Sequence, residues 1–185
     1  DTSVWIGARR GAAIARTPGS LLGGDLPIDH AAAEVAVRKH LAEPLGVDAR
    51  TAAAAVIDVS PLYKYRLSGP DALRLADRVI TRDAMRMKVG QVYYTPWCDD
   101  DGKVIDDGTV ARLGDSRFRW TAADPNLRWL LDHGRGLNVT VEDVTEQVAA
   151  LALQGPTSAR LLAAVSDVPV GALKYFRAAA GTIAG

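Results

Sequence analysis

The sequence predicts an α+β fold in which helices pack on antiparallel sheets and a strand, Gly-Pro, helix unit occurs twice. Three observations predict it. Residues 91–122 read as three consecutive antiparallel strands, with β-branched and aromatic residues separated by turn chemistry. Leu67-Ser68-Gly69-Pro70-Asp71 leads a strand into a helix, and Leu153-Gln154-Gly155-Pro156-Thr157 does so again, the glycines lying 86 residues apart (155 − 69). The apolar positions of the first helix, Leu73, Leu75 and Val79, are answered by Leu161, Leu162 and Val165 of the second.

Taken in order, Thr17-Pro18-Gly19-Ser20 and Gly23-Gly24-Asp25 are loop chemistry, and Asp29 to Glu43 reads as a helix with Asp29 as N-cap and Pro44 and Gly46 ending it. Ala53–Leu67 holds two short strands broken at Ser60-Pro61, because proline cannot donate to a ladder. A helix follows over Asp71–Ile80, with Pro70 where its missing N–H costs nothing. In the central stretch Gln91–Trp97, Lys103–Leu113 and Arg117–Ala122 are the strands, and Asp99–Gly102 and Gly114–Ser116 are the turns. Asp124 as N-cap predicts a helix to His133, stopped by Gly134 and Gly136. Val139–Val144 and Ala149–Gln154 read as strands and Ser158–Val165 as a helix, while Leu173–Phe176 and 181–185 read as strand beginnings. The expected division is an N-terminal extension and helix over 1–50 and a domain over 51–185.

Composition narrows the function classes. A chain of 185 residues with 48% hydrophobic content can bury a real core. A net charge of +0 gives no general attraction to nucleic acid or anionic membrane. The single cysteine, Cys98, rules out an internal disulfide and reads as a small buried hydrophobe, and His30, His40 and His133 have no ligand-like spacing, so no metal is expected. No apolar run is long enough to span a bilayer and no signal-peptide core opens the sequence, so a cytoplasmic protein is expected.

The candidate site follows from an anomaly in the middle strand. Asp106 and Asp107 fall inside it, where aspartate is disfavoured. Strand alternation puts Asp107 on one face with Ile105, Thr109, Ala111 and Leu113, and Asp106 on the other with Val104, Gly108 and Val110. Without a bulge, one carboxylate, that of Asp107 by its face-mates, points at an apolar surface, where an unpaired charge costs several kcal/mol, and such a breach of local rules marks a functional position. The competing reading makes Asp107-Gly108 a further hairpin turn. For Tyr93, Tyr94, Trp97 and Trp120 the competing reading is ordinary sheet packing.

Six segments in fixed order then carry a resemblance. They are Asp58-Val59-Ser60, Leu67–Ala72, Thr81-Arg82-Asp83, Gly90–Tyr94, Gly102–Asp107 and Leu151–Pro156. Together they resemble the folate-binding fold of the glycine-cleavage T-protein and its folate-dependent demethylase relatives, from about residue 50 onward. The resemblance implies a T-protein-like folate-binding fold, truncated after its N-terminal part, with tetrahydrofolate as cofactor. It implies that Asp107 lies beside the reacting nitrogen and is the catalytic residue, and that Tyr94, thirteen residues upstream, lines the same pocket, as would Leu62, Thr109 and Thr121.

The activity so implied is tetrahydrofolate-dependent transfer of a methyl or aminomethyl-derived carbon to N5, from a small-molecule donor. A carboxylate in a low-dielectric cavity can stabilise a cationic transition state and manage the N5 proton. A C-terminal half or a partner subunit is expected to complete the site. The resemblance also leaves open a non-catalytic folate-binding scaffold, or the folate subunit of a demethylating flavin oxidase. Pro61-Leu62-Tyr63 stands where T-proteins carry His-Met, and Thr121 stands where they carry asparagine, so the sequence leans to the demethylase-like branch.

Overall fold

The computed structural model describes residues 3–6, as backbone, and 54–183. The helix expected over 29–43, the two N-terminal loops, His30 and His40 lie outside the described residues. Among the described residues nine strands are present: β1 (Ser3–Ile6), β2 (Ala55–Asp58), β3 (Tyr63–Ser68), β4 (Val92–Cys98), β5 (Val104–Gly114), β6 (Arg117–Ala122), β7 (Thr140–Asp143), β8 (Leu151–Gln154) and β9 (Arg177–Ala180). Three α-helices accompany them: α1 (Ala72–Val79), α2 (Leu127–His133) and α3 (Ser158–Val165). The strands form a five-stranded sheet in the order β4-β5-β6-β3-β7 and two ribbons, β1-β9 and β2-β8, and every pair is antiparallel.

The central hairpins form as their turn chemistry dictates. Asp99 accepts from the backbone amides of Asp101 (3.1 Å) and Lys103 (2.8 Å) through Oδ1, and Gly102 takes φ +80°, a conformation that favours glycine. Pro96 is tolerated because β4 is an edge of the sheet, and its carbonyl accepts from the Thr81 amide at 3.2 Å. Asp107-Gly108 lies within β5, so it is no turn.

One face of the large sheet is the core. Tyr65, Leu67, Trp97, Val110, Phe118 and Trp120 are fully or almost fully buried there against Ala72, Leu75 and Ala76 of α1 and Leu130 of α2. Trp97 and Trp120 meet edge to face with ring centroids 5.0 Å apart, an arrangement favoured by the ring quadrupoles. Four buried aromatics on one face, Tyr65, Trp97, Phe118 and Trp120, explain why short strands and short helices suffice.

The duplication extends beyond the Gly-Pro turns. Gly69 and Gly155 have φ of +129° and +124°. Ile80 bridges Trp97 and, 86 positions on, Ser166 bridges Ile183. The 3₁₀ turn Ala84–Arg86 is answered by Val170–Ala172, and the bond from Thr81 N to Pro96 O by that from Asp167 N to Thr182 O. The two copies meet about a local twofold: Val92 N donates to Phe176 O (3.0 Å), Ala178 N donates to Gly90 O (2.8 Å), and the equivalent residues Gln91 and Arg177 face one another. The second copy buries a smaller cluster, Leu162, Val168 and Val170 with Leu153 and Ala179.

Three expectations are corrected. Leu173–Phe176 is not a strand: it follows the second 3₁₀ turn as the counterpart of Met87–Gly90, and the strand begins only at Arg177, after Phe176 takes φ +52° where the first copy has Gly90. Tertiary position overrides its apolar pattern, and of the following run Ile183 contributes only an isolated bridge. Helix α2 starts at Leu127 with Asn126 at the N-cap; the Asn126 amide that a cap at Asp124 would satisfy donates instead to Tyr65 Oη at 2.7 Å. Cys98 is half-buried at the end of β4 rather than in the core.

Candidate functional site

The face of the sheet opposite the core carries the expected site residues. Register places Tyr94 opposite Thr109, Thr109 opposite Thr121, and Thr121 opposite Lys64, so one row runs across β4, β5, β6 and β3. Asp107 sits one step along on the same face, opposite Pro96. The Tyr94 hydroxyl donates to Asp107 Oδ2. Tyr94 is 54% exposed, so its ring stands as a wall available to a ligand. Asp107, Thr109 and Thr121 are half-buried. Leu62 lies just before β3 with the strand parity of Lys64, and its carbonyl accepts from Lys64 Nζ at 2.6 Å. The structure therefore brings Tyr94, Asp107, Thr109 and Thr121 together, while Leu62 lies in the bend before β3 and meets their row only through Lys64.

The expectation that Asp107 points at the apolar surface is corrected. The two acids do occupy opposite faces, but it is Asp106 that enters the core, 7% exposed, opposite Trp97. The physical reason lies in what covers each face: α1 and α2 seal the side of Asp106. A bulge at Trp97/Cys98 further shifts the register, so that Ile105, expected beside Asp107, packs against the core. Asp106 is tolerated because its oxygens are paired. Oδ1 accepts from the Asp107 amide (2.7 Å), and Oδ2 accepts from Asn126 Nδ2 (2.7 Å) and the Asp124 amide (3.0 Å). Asn126 in turn accepts from Trp97 Nε1 (3.0 Å) and donates its amide to Tyr65 Oη (2.7 Å). Asp106 thus anchors the start of α2 to the sheet, while Asp107 is left to face outward with one phenolic partner.

Gly108, beside Asp107, is fixed by close approach. A Cβ there would lie 1.9 Å from the Thr121 carbonyl oxygen, which no relaxation of a side chain can relieve. Its absence lets β5 and β6 close up beneath the site.

Two cations on this face escaped the reading of the sequence. Lys64 is 2% exposed, and its ammonium donates to the carbonyls of Ser60 (2.8 Å) and Leu62 (2.6 Å). Burial, reinforced by the nearby Arg119 charge, holds its pKa below the usual lysine value, against the opposing pull of Glu146, Asp143 and Asp58. Arg119, two residues before Thr121, is likewise pushed down by burial, and among the described residues its Nε has no hydrogen-bond partner. The alternation of Tyr63-Lys64-Tyr65-Arg66-Leu67 could have placed Lys64 on the outward face, yet nothing local signals that it is buried. His133 serves structure, its Nδ1 2.8 Å from the Trp129 carbonyl oxygen and its ring against Trp129. Among the described residues no group of histidine, cysteine and acids is placed to hold a metal ion, and no helix is long and apolar enough to cross a membrane.

Fold and face together define a duplicated α+β domain with an acid and phenol pair on the outward side of its larger sheet. The chain belongs to the family described as the GCVT N-terminal domain, whose family model matches residues 40–185. It is 35% identical over 134 residues to an aminomethyltransferase of Halothermothrix orenii, covering 70% of this chain and 37% of that enzyme. It is 40% identical over 110 residues to a trimethylamine-oxide aldolase of Ruegeria pomeroyi, covering 58% of this chain and 14% of that one. Among solved structures, the glycine cleavage system aminomethyltransferase T of Bartonella henselae superposes with a TM-score of 0.58 at 26% identity, over 67% of this chain and 35% of that one. The chain thus spans well under half the length of these relatives.

Proposed function

We propose that the protein is a tetrahydrofolate-dependent one-carbon transferase that moves a methyl or aminomethyl-derived carbon from a small-molecule donor to N5 of tetrahydrofolate. The observation that carries this reading is the Tyr94 and Asp107 pair on a sheet face that also presents Thr109 and Thr121. The residues present fit a reduced pterin: an aromatic wall, a carboxylate to accept from ring N–H groups, and hydroxyls that both donate and accept. Bound folate supplies a nucleophilic N5 amine.

The chain's own groups have separable tasks. Asp107 offsets positive charge that develops near the transferring carbon and takes or returns a proton at N5. Tyr94 holds the Asp107 carboxylate through its hydroxyl and presents its ring to the ligand. Thr109 and Thr121 line the adjacent row and set the ligand's orientation, and Leu62 bounds it at the end near Lys64. In this reading residues 51–185 form the folate domain, and a further polypeptide, either a C-terminal half or a partner subunit, supplies the facing wall. The aminomethyltransferase and trimethylamine-oxide aldolase relatives support a donor bearing carbon on nitrogen.

Calorimetry with tetrahydrofolate tests the reading directly. Saturable binding that weakens in Asp107→Ala and Tyr94→Ala supports it, and equal binding by all three proteins overturns it.

A further inference from the structure

A second polar concavity lies on the other side of β4, where the two copies meet, with a volume of about 590 Å³. Its charge is lopsided. Arg82, Arg86, Lys88 and Arg177 line it with a single carboxylate, Asp83, in a chain whose net charge is +0. Among the described residues none of the four cations takes part in an ion pair. The remaining lining residues, Gln91 and Tyr93, offer an amide and an aromatic ring.

Two of the guanidinium groups are held in place before any ligand arrives. Arg82 lies over the Tyr93 ring, 3.8 Å from its centroid, and reaches the Tyr94 carbonyl at 3.4 Å. Arg177 donates to the Phe176 carbonyl at 3.0 Å. The Gln91 side chain, whose Oε1 accepts from the Lys88 amide at 3.1 Å, fixes the loop that carries Lys88. Guanidinium forks fixed in this way match carboxylate and phosphate oxygens.

The duplication shows that the fold itself does not require these charges. Displaced by 86 residues, Arg82 and Arg86 correspond to Val168 and Ala172, and Asp83 to Pro169. Only Lys88 keeps its charge in the second copy, as Lys174. The same backbone is therefore built once with apolar residues and once with arginines. The cations also converge on a concavity of small-molecule size instead of spreading over a flat surface, as they would for a nucleic-acid backbone.

We propose that this junction cavity is a binding site for a small multivalent anion, one that presents two or more adjacent phosphate or carboxylate groups to Arg82, Arg86, Lys88 and Arg177. The proposal stands apart from the folate reading, because the cavity lies on a different face from Asp107 and touches that pair only through the Tyr94 backbone carbonyl, which Arg82 reaches.

The test is calorimetry on the full-length protein with inorganic tripolyphosphate and, separately, with citrate, at low and at near-physiological salt. Saturable binding to a single class of sites is expected for at least one probe, weakening as salt rises. The probe that binds identifies the anion as phosphate-like or carboxylate-like. The double variant Arg86→Ala/Lys88→Ala should lose at least about tenfold in affinity with an unchanged melting temperature. The charge-preserving Arg86→Lys/Lys88→Arg should keep most of it. Absence of saturable binding by both probes, or equal affinity in the alanine variant, overturns the proposal. Should the alanine variant melt early, Arg86→Gln/Lys88→Gln replaces it and is read the same way.

Discussion

The backbone amide of Asp107 donates to the side chain of Asp106 at 2.7 Å, so the acid buried in the core holds the backbone of the acid that faces out. Adjacent residues of one type thereby take different work. Asp106 is consumed by structure, and Asp107 is presented with its carboxylate turned toward Tyr94.

Replacement of Asp106 should act on stability. Asp106→Ala strands the Asn126 side-chain amide and two backbone N–H groups in a closed core, a loss of about 2–4 kcal/mol. Urea unfolding measures it, and a midpoint equal to that of the wild type would contradict the assigned role.

Asp107 and Tyr94 should behave in the opposite way. Asp107→Ala is expected to leave the urea midpoint within about 1 kcal/mol of wild type while cutting turnover by about 10²-fold or more. Tyr94→Phe keeps the ring and loses the hydroxyl, so its turnover should fall less than that of Asp107→Ala. Steady-state kinetics of the assembled enzyme separates the two; unchanged turnover in Asp107→Ala excludes a catalytic role.

Gly108 offers a purely steric prediction. Even alanine collides with the Thr121 carbonyl oxygen, so Gly108→Ala should separate β5 from β6 and cost about 3 kcal/mol or more. Thermal unfolding checks it, and a variant melting like the wild type would mean the strands can part without penalty.

A pH dependence follows from Asp71. Its carboxylate accepts from the Asn138 amide (2.8 Å) and from Arg74 (3.0 Å), and in that order these hold its pKa below the usual carboxylate value. A depressed pKa in the folded state means the unfolded chain binds the proton more readily. The stabilisation is therefore present above the unfolded value of about 3.9 and is lost as pH falls through the lower folded value. Asp71→Asn should flatten the acid limb of the stability profile, measured as urea midpoints between about pH 2.5 and 6. An unaltered limb would show that the carboxylate contributes nothing there.

Much of the architecture was legible in the sequence because it is written in local chemistry. The turn at Asp99–Gly102, the Gly-Pro starts of α1 and α3 and the three central strands follow from residues that admit few conformations. The spacing of the two glycines alone predicts the duplication. What escaped depends on neighbours distant in sequence. Which face of β5 the helices cover decides between Asp106 and Asp107, and strand parity alone carries no such information. Asp124 fits an N-cap by type, but the Asn126 amide it would cap is claimed by Tyr65 from 61 positions away. Leu173–Phe176 has strand composition, yet the repeat assigns it to a crossover. Of the proposed site, alternation put Asp107 and Thr109 on one face and the resemblance added Tyr94 and Thr121, whereas nothing local marked the burial of Lys64 and Arg119.

The unequal cores of the two copies set an order of loosening. The first copy closes on Trp97, Trp120, Tyr65 and Phe118, and the second on Leu162, Val168 and Val170. Under native conditions the amides of β8, α3 and β9 should exchange with solvent through partial opening, while those of β3, β5 and β6 wait for global unfolding. The strand pairing at Gln91 and Arg177 is then the boundary between two cooperative units, and the junction cavity sits where a bound ion would restrain the weaker one.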